Sequence, residues 1–255
     1  CIDGNNSKFK NIKKEREMLD ESNGMELATR QTLRYAEDLS RAYMALKSAH
    51  EKLSEAYLDT VNRLALAAEF KDENTGNHIQ RVTSYSVSIA EKLGLSKKTV
   101  KNIFYATPMH DIGKIGIPDR ILLKPGKLSA KEFEIVKSHT IIGAKILDGS
   151  ISEILQMAQQ IAVSHHERWN GQGYPYSLKG EEIPLPGRIT ALADFLDALS
   201  SHRPYRDAYT PETVVEMVKR ERGEYFDPKI VDVFLYHLDE FTDKLRKNCD
   251  LKLHA

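Results

Sequence analysis

Leucine recurs every seventh residue at Leu39, Leu46 and Leu53, with Ala42, Ala49 and Ala56 three positions after each. Such a narrow apolar stripe in otherwise charged text predicts one long helix from Met25 to about Phe70, with coiled-coil character. Tyr43, His50 and Tyr57 flank the stripe. The seam suits a second copy of the same helix, a homodimer; a single helix packed on its own domain is the alternative. Before it, residues 1–24 are polar and charged without a sustained period, which predicts a tail or linker. After it the period becomes that of shorter amphipathic helices. His78, Val82, Tyr85 and Ile89 share one stripe of a helix stopped by Gly94. A third helix runs from about Ser96 to His110, with Pro108 kinking its last turn. Residues 113–126, rich in Gly and Pro, read as a loop. Ser129 and Glu132 have the spacing of a capping box, and Ile135 and Val136, one turn before His139, predict that this histidine points inward. Ile154, Leu155, Ala158, Ile161 and Ala162 form a stripe that ends at His165 and His166. Trp169 to Pro175 is a loop, Arg188 to Leu199 is a helix carrying Asp194 and Asp197, and Thr210-Pro211 and Asp227-Pro228 open two more helices. Few stretches alternate with period two, so the fold class is all-α: a helical bundle over 64–255, preceded by a helical linker over 25–63 and the tail 1–24.

Charge and composition narrow the partners. With 37 basic and 37 acidic residues the formal charge is zero, which disfavours long nucleic acid and an anionic membrane surface. No apolar run reaches the length of a membrane span, and no signal segment opens the chain. Two cysteines, Cys1 and Cys249, at opposite ends fit a reducing compartment, so a cytoplasmic location is expected. The chain starts without Met, which predicts a piece of a longer protein whose upstream sensor or receiver domain is missing here.

The chemistry concentrates in the histidines. His110 and Asp111 are adjacent, and a carboxylate has two oxygens with which to bridge two ions while an imidazole binds one. Five of the nine histidines, His78, His110, His139, His165 and His166, fall at helix ends or on inward stripes, together with Asp111 and Asp194. Neutral imidazoles suit iron, manganese, zinc or nickel better than magnesium. Two divalent ions against two carboxylates leave positive charge for a hydroxide and an anionic phosphodiester.

These residues stand in ordered motifs: Asn74-Thr75-Gly76-Asn77-His78-Ile79-Gln80-Arg81-Val82, His110-Asp111-Ile112-Gly113-Lys114-Ile115-Gly116-Ile117-Pro118-Asp119, and Lys137-Ser138-His139-Thr140. His165-His166-Glu167-Arg168-Trp169, Gly173-Tyr174-Pro175, Ala193 to Leu199 and Arg203-Pro204-Tyr205-Arg206 complete the series. Over about residues 64–236 the chain resembles the HD-GYP domains, the cyclic di-GMP phosphodiesterase branch of the HD metal-dependent phosphohydrolases. The resemblance implies His78, His110, Asp111, His139, His165, His166 and Asp194 as metal ligands, with Asp111 bridging two divalent ions, iron or manganese. It also implies Lys114, Arg203 and Arg206 near phosphate, Tyr174 near the reacting group and Asp72 near a guanine edge. The implied reaction of bacterial second-messenger signalling is hydrolysis of cyclic di-GMP to linear pGpG, with GMP as a further end point, by a hydroxide bridging the metals. Lys114 or metal-bound water would protonate the leaving oxygen. A mixed cyclic dinucleotide is the alternative substrate, and a binding module without turnover the alternative class. A diguanylate cyclase is a candidate partner of the Gly-Tyr-Pro loop.

Two positions depart from the pattern. Some members carry Glu where this chain has Asn74, and that Glu helps hold a third metal; a neutral amide predicts two ions only, unless Glu73 or Glu69 substitutes. Asn170 stands for the usual Asp before Gly-x-Gly-Tyr-Pro, which predicts a local change in loop hydrogen bonding.

Overall fold

The computed structural model describes residues 3–72, 77–202 and 207–250, with the side chains of 3–13, 15, 17, 22, 72 and 247–250 left aside. Among these residues the fold is all-α, with one isolated bridge between Arg222 and Phe226. The chain divides into two compact units, residues 1–57 and residues 58–255.

The first unit belongs to helix α1, Asp3–Glu69. Its described side chains are nearly all exposed, and Leu39, Leu46 and Leu53 stand 72, 69 and 70% exposed. Residues 1–24, expected as a polar tail, fall within the bounds of α1 from Asp3 onwards. Lys, Glu, Met and Leu favour helix through their unbranched stems, so this text is helical without an apolar period. Surface pairs such as Arg30–Glu26 (2.7 Å) span one turn and add about 0.3–0.5 kcal/mol each.

In the second unit the last turns of α1 bury Val61, Ala65 and Ala68, spaced four and three apart, so one helical face becomes core. After the short 3₁₀ turn Phe70–Asp72 come α2 (Asn77–Lys92) and α3 (Lys97–Ala106). Ser96 caps α3 by accepting from the Thr99 amide. A 3₁₀ turn, Thr107–Met109, follows because Pro108 has no amide to continue the α ladder. The segment expected as a loop over 113–126 is more ordered than its glycines suggest. It holds a 3₁₀ helix, Ile112–Gly116, and a short α4, Asp119–Leu122, fastened by Lys71, whose ammonium donates to the carbonyls of Ile115 and Ile117 at 2.7 Å each.

The capping box at Ser129 and Glu132 opens α5, Ala130–Lys137. His139 points inward as expected, but from a different element. His139 does not extend α5; it starts a new helix, α6 (His139–Ile146), after Ser138, and Ile135 is 40% exposed while His139 is 2% exposed. The break redirects the chain, so the histidine turns inward although the preceding apolar residues do not. Then come α7 (Glu153–Ser164), α8 (Leu185–Ser200), α9 (Pro211–Arg220), α10 (Pro228–Tyr236) and α11 (Leu238–Asp250). Thr210 and Asp227 cap α9 and α10, each followed by proline at the first helical position.

Two apolar clusters hold the unit. One joins α2, α8, α9, α10 and α11 through Tyr85, Ile89, Leu192, Leu196, Val214, Phe234 and Phe241; the other joins α1 to α7 through Ala65, Met109, Ile161 and Ala162. Leu192 is fully buried, so Leu192→Ala would cost about 2–5 kcal/mol. α2 and α8 carry His78 and Asp194, whereas His110 and His165 follow elements of the second cluster. The site therefore draws on both.

Candidate metal centre

Three histidines are oriented by one local device. At a helix end the imidazole of the residue just beyond reaches back to a carbonyl of the last turn, adding to the backbone amide bond that this carbonyl already accepts. His110 Nδ1 lies 3.0 Å from the Thr107 carbonyl, His139 Nδ1 2.7 Å from that of Val136, and His165 Nδ1 3.0 Å from that of Ile161. A carbonyl only accepts, so Nδ1 carries a proton, and it is Nε2 that offers a lone pair whenever the ring is neutral. Those three Nε2 atoms are buried and have no hydrogen-bond partner. Each would cost about 1–3 kcal/mol as an orphan, which suits a ring set built around a cation.

His78 is oriented by a carboxylate instead. Its Nδ1 is 2.7 Å from Asp197 Oδ2, while Asp197 also accepts from Nε and Nη2 of Arg81. Asp197 is 2% exposed, and Asp194, one turn earlier on α8, has Oδ1 3.6 Å from His78 Nε2. Asp194 faces the histidines and Asp197 supports them.

The donors gather in two groups. Asp111, His139, His165 and His166 place ligand atoms within 4.8 Å of one another, and so do His78, His110 and Asp194. Asp111 touches both. Its Oδ1 lies 3.2 Å from His139 Nε2 and 3.6 Å from His165 Nε2, and its Oδ2 lies 3.3 Å from His110 Nε2 and 2.8 Å from Lys114 Nζ. The short distance to α6 depends on Gly113, where a Cβ would stand 1.8 Å from the His139 carbonyl oxygen.

Electrostatics favour cations here. Burial would raise the Asp111 carboxyl, but Lys114 and His110 hold it well below the usual range. Burial lowers His110, yet Asp111, Asp194 and Glu69 outweigh it and push the ring up to about 9. His165 and His166 are held below the ordinary histidine value, by burial first and then, for His166, by the rings of His165 and His139. Those two are neutral donors near pH 7. The set of nitrogens and carboxylates, with buried lone pairs aimed inwards, fits divalent transition metal.

The Gly-Tyr-Pro loop leans on this centre. The Tyr174 ring stacks on His166 (4.8 Å between centroids, 26° between planes), and the Lys137 ammonium sits 5.4 Å from the Phe133 ring and 5.5 Å from that of Tyr174. Burial pushes the Tyr174 phenol further up, so it remains protonated. Asn170 donates from Nδ2 to Glu224 Oε2 at 3.0 Å and accepts the Gln172 amide at 2.9 Å. An Asp at 170 could not donate to Glu224, so the hydrogen bonding of this loop is local to the amide.

All seven expected ligands are thus brought together, with Lys114 and Tyr174 beside them. Asp72 ends the 3₁₀ turn Phe70–Asp72 with its side chain outside the described residues, as are Glu73, Asn74, Arg203 and Arg206. Three residues were missed: Asp197; Glu167, which is 2% exposed; and Glu69, named only as a substitute ligand, which is 2% exposed with Oε1 unpartnered. Burial raises the Glu69 carboxyl, against the pull of His78, His110 and Lys114. An acidic residue on a buried helical position was the one signal that could have found it.

Residues 62–230 match the family model described as HD domain. The chain is similar to a cyclic di-GMP phosphodiesterase of Thermotoga maritima, 43% identical over 220 residues that cover 85% of this chain and 60% of the relative. It is also similar to a 3'3'-cGAMP-specific phosphodiesterase 2 of Vibrio cholerae, 44% identical, covering 74% of this chain and 36% of that one. A cyclic di-GMP phosphodiesterase response regulator of Xanthomonas campestris is 44% identical, with 74% of this chain and 50% of the relative covered. The chain thus spans less than two thirds of the length of these relatives. Among solved structures, a cyclic GMP-AMP specific phosphodiesterase of V. cholerae shares the fold at TM-score 0.53 and 22% identity, over 76% of this chain and 53% of that one.

Proposed function

Because the chain belongs to the HD domain family, in its HD-GYP branch, we propose that it hydrolyses cyclic di-GMP to linear pGpG at a binuclear centre of iron or manganese. The observation that carries this reading is the Asp111 carboxylate, one oxygen facing His139 and His165 and the other facing His110. In it, His139, His165 and His166 would hold one ion and His78, His110 and Asp194 the other, with Asp111 within reach of both groups. The chemistry such ions would supply is a lowered pKa of bound water and polarised phosphoryl oxygens.

The chain's own groups do the remaining work. Lys114, 2.8 Å from Asp111, brings positive charge beside the site and is the chain's candidate donor to the departing 3' oxygen. Tyr174 offers a phenolic proton next to His166. Arg203 and Arg206 fork onto phosphate oxygens, and Asp72 accepts from a guanine edge. With the neutral Asn74 in place of Glu, two ions rather than three are expected.

A second reading has its own support in the 44% identity to a relative named for 3'3'-cGAMP. Side-by-side turnover of both cyclic dinucleotides by metal-loaded protein, with linear products resolved, separates them. Faster cleavage of cyclic di-GMP is expected; faster cleavage of 3'3'-cGAMP would transfer the reading to the mixed dinucleotide, and cleavage of neither would end both.

The same reading makes α1 a parallel pairing helix that links the domain to an upstream sensor or receiver. Met25, 70% exposed, stands two heptads before Leu39 with Thr32 between them, so the apolar spacing of Leu39, Leu46 and Leu53 thins out towards the N-terminus. A helix whose apolar stripe faces water gains from a second copy. A cytoplasmic setting and a diguanylate cyclase contact at the Gly-Tyr-Pro loop belong to this proposal. Among the described residues no helix is long and apolar enough to cross a membrane.

A further inference from the structure

Glu167 follows the two histidines just beyond α7, yet its carboxylate bonds to loop amides and is in neither donor group. It is 2% exposed, and it accepts the Tyr176 amide on Oε1 at 2.7 Å and the Leu178 amide on Oε2 at 3.1 Å. Those amides bracket Ser177, a non-glycine residue in the left-handed region at φ 56°. Successive amides around a left-handed residue form a concave anion-binding nest. A side chain holds that conformation only where its surroundings over-determine it, and here the occupant of the nest is a carboxylate from the same chain.

The other side of the loop is fixed to the same short segment. The Tyr174 amide donates to the His166 carbonyl at 3.2 Å, and a Cβ on Gly173 would lie 2.3 Å from the Arg168 nitrogen and 2.4 Å from the Glu167 Cα. Gly173 to Leu178 is therefore zipped onto residues 166–168, with one buried carboxylate closing the far end. The ring between the two fastenings is Tyr174, stacked on His166.

We propose that Glu167 is the positioning residue of the Gly-Tyr-Pro loop, holding Tyr174 in register over His166 through the amide nest at Tyr176–Leu178. The inference deepens the phosphodiesterase reading and rests on it for its kinetic arm. Glu167 belongs to neither donor group, and its bonds go to loop amides. A carboxamide at this position keeps one acceptor but turns an N–H towards an N–H, so the nest loses one of its two bonds.

Trp169, the sole tryptophan, reports on this segment without any turnover. Its amide donates to the Tyr225 carbonyl at 3.0 Å and its carbonyl accepts from Gly180 at 2.9 Å, so it sits in the same wired loop. The test compares metal-loaded parent, E167Q, Y174A and the double variant, with E167D as a second variant should E167Q not fold. Expected for E167Q are a changed Trp169 emission with increased quenching by iodide, metal content equal to the parent, and a KM for cyclic di-GMP raised about tenfold or more with a smaller change in kcat. In the Y174A background E167Q should change kcat/KM little, since its effect passes through Tyr174. Unchanged Trp169 emission and quenching would overturn the proposal, as would loss of metal or an equal kinetic penalty with and without Tyr174. Should the parent cleave no cyclic dinucleotide, the functional reading fails, and Trp169 emission with metal content still decides the role of Glu167.

Discussion

Asp197 Oδ2 lies 2.7 Å from His78 Nδ1, and the same carboxylate accepts the Arg81 guanidinium. A buried anion thus fixes the tautomer and direction of a proposed metal ligand from behind. Asp197→Asn should weaken metal binding by about 10–100-fold with the helical fold retained, measured by titration of the metal-free protein with Mn²⁺. Equal affinity in parent and variant would remove Asp197 from the site.

The same group predicts an acid limb. Burial raises the Asp197 carboxyl, but the bonds to His78 and Arg81 outweigh it and leave it below its ordinary 3.8. A depressed carboxyl contributes stability that is complete above its unfolded value and lost as pH falls through the folded one. In metal-free protein, urea midpoints of the parent should therefore exceed those of Asp197→Asn at neutral pH and approach them below about pH 3.8. A gap that stays constant to pH 2 would contradict the assignment.

Asp111→Ala should abolish hydrolysis and lower bound metal, while circular dichroism still reports a helical domain. Both oxygens serve, so the loss should exceed that from any single histidine variant. Full activity in Asp111→Ala would end the binuclear reading.

Metal binding should release protons. The raised His110 value, about 9 against an ordinary 6.5, means that the His110–Asp111 contact stabilises the metal-free fold fully below pH 6.5 and is lost as pH rises through about 9. A cation competes with that proton, so affinity should rise with pH up to about 9. Calorimetry in buffers of different ionisation enthalpy counts the protons; zero release at pH 7 would contradict the contact.

Arg203→Ala and Arg206→Ala should each reduce kcat/KM about ten- to a hundredfold, the worth of a charge-assisted bond of about 1.5–3 kcal/mol. Unchanged kinetics in both would make them solvated surface. For α1, sedimentation of the chain and of a form starting near Thr60 should give a dimer and a monomer. The pairing proposal fails if both sediment as monomers.

Much of the bundle was legible because its signals are local. The capping box at Ser129 and Glu132, the prolines after Thr210 and Asp227, and the stripe that buries His78 each depend on neighbours within two turns. The ligands were legible from their motifs, while their orientation was not. A spacing of three does not separate Asp194 from Asp197 as the proposed ligand, because both lie on one helical face; what sets Asp197 apart is its bonding to His78 and Arg81, more than 100 residues earlier. His139 pointed inward for a reason its neighbours did not carry, the break at Ser138. Residues 3–24 show the reverse case, where helix-favouring stems suffice without an apolar stripe.

Gly173, pressed against backbone, leaves no room to tune its own position, so the loop is divided into anchors and handles. Gln172, beside the anchored Gly173, and Tyr176, whose amide is the anchored part, keep their side chains exposed. They are where a spin label or fluorophore can be attached. With only Cys1 and Cys249 to replace beforehand, Gln172→Cys would make the loop an observable in its own right, one that could be followed with metal, nucleotide or partner present.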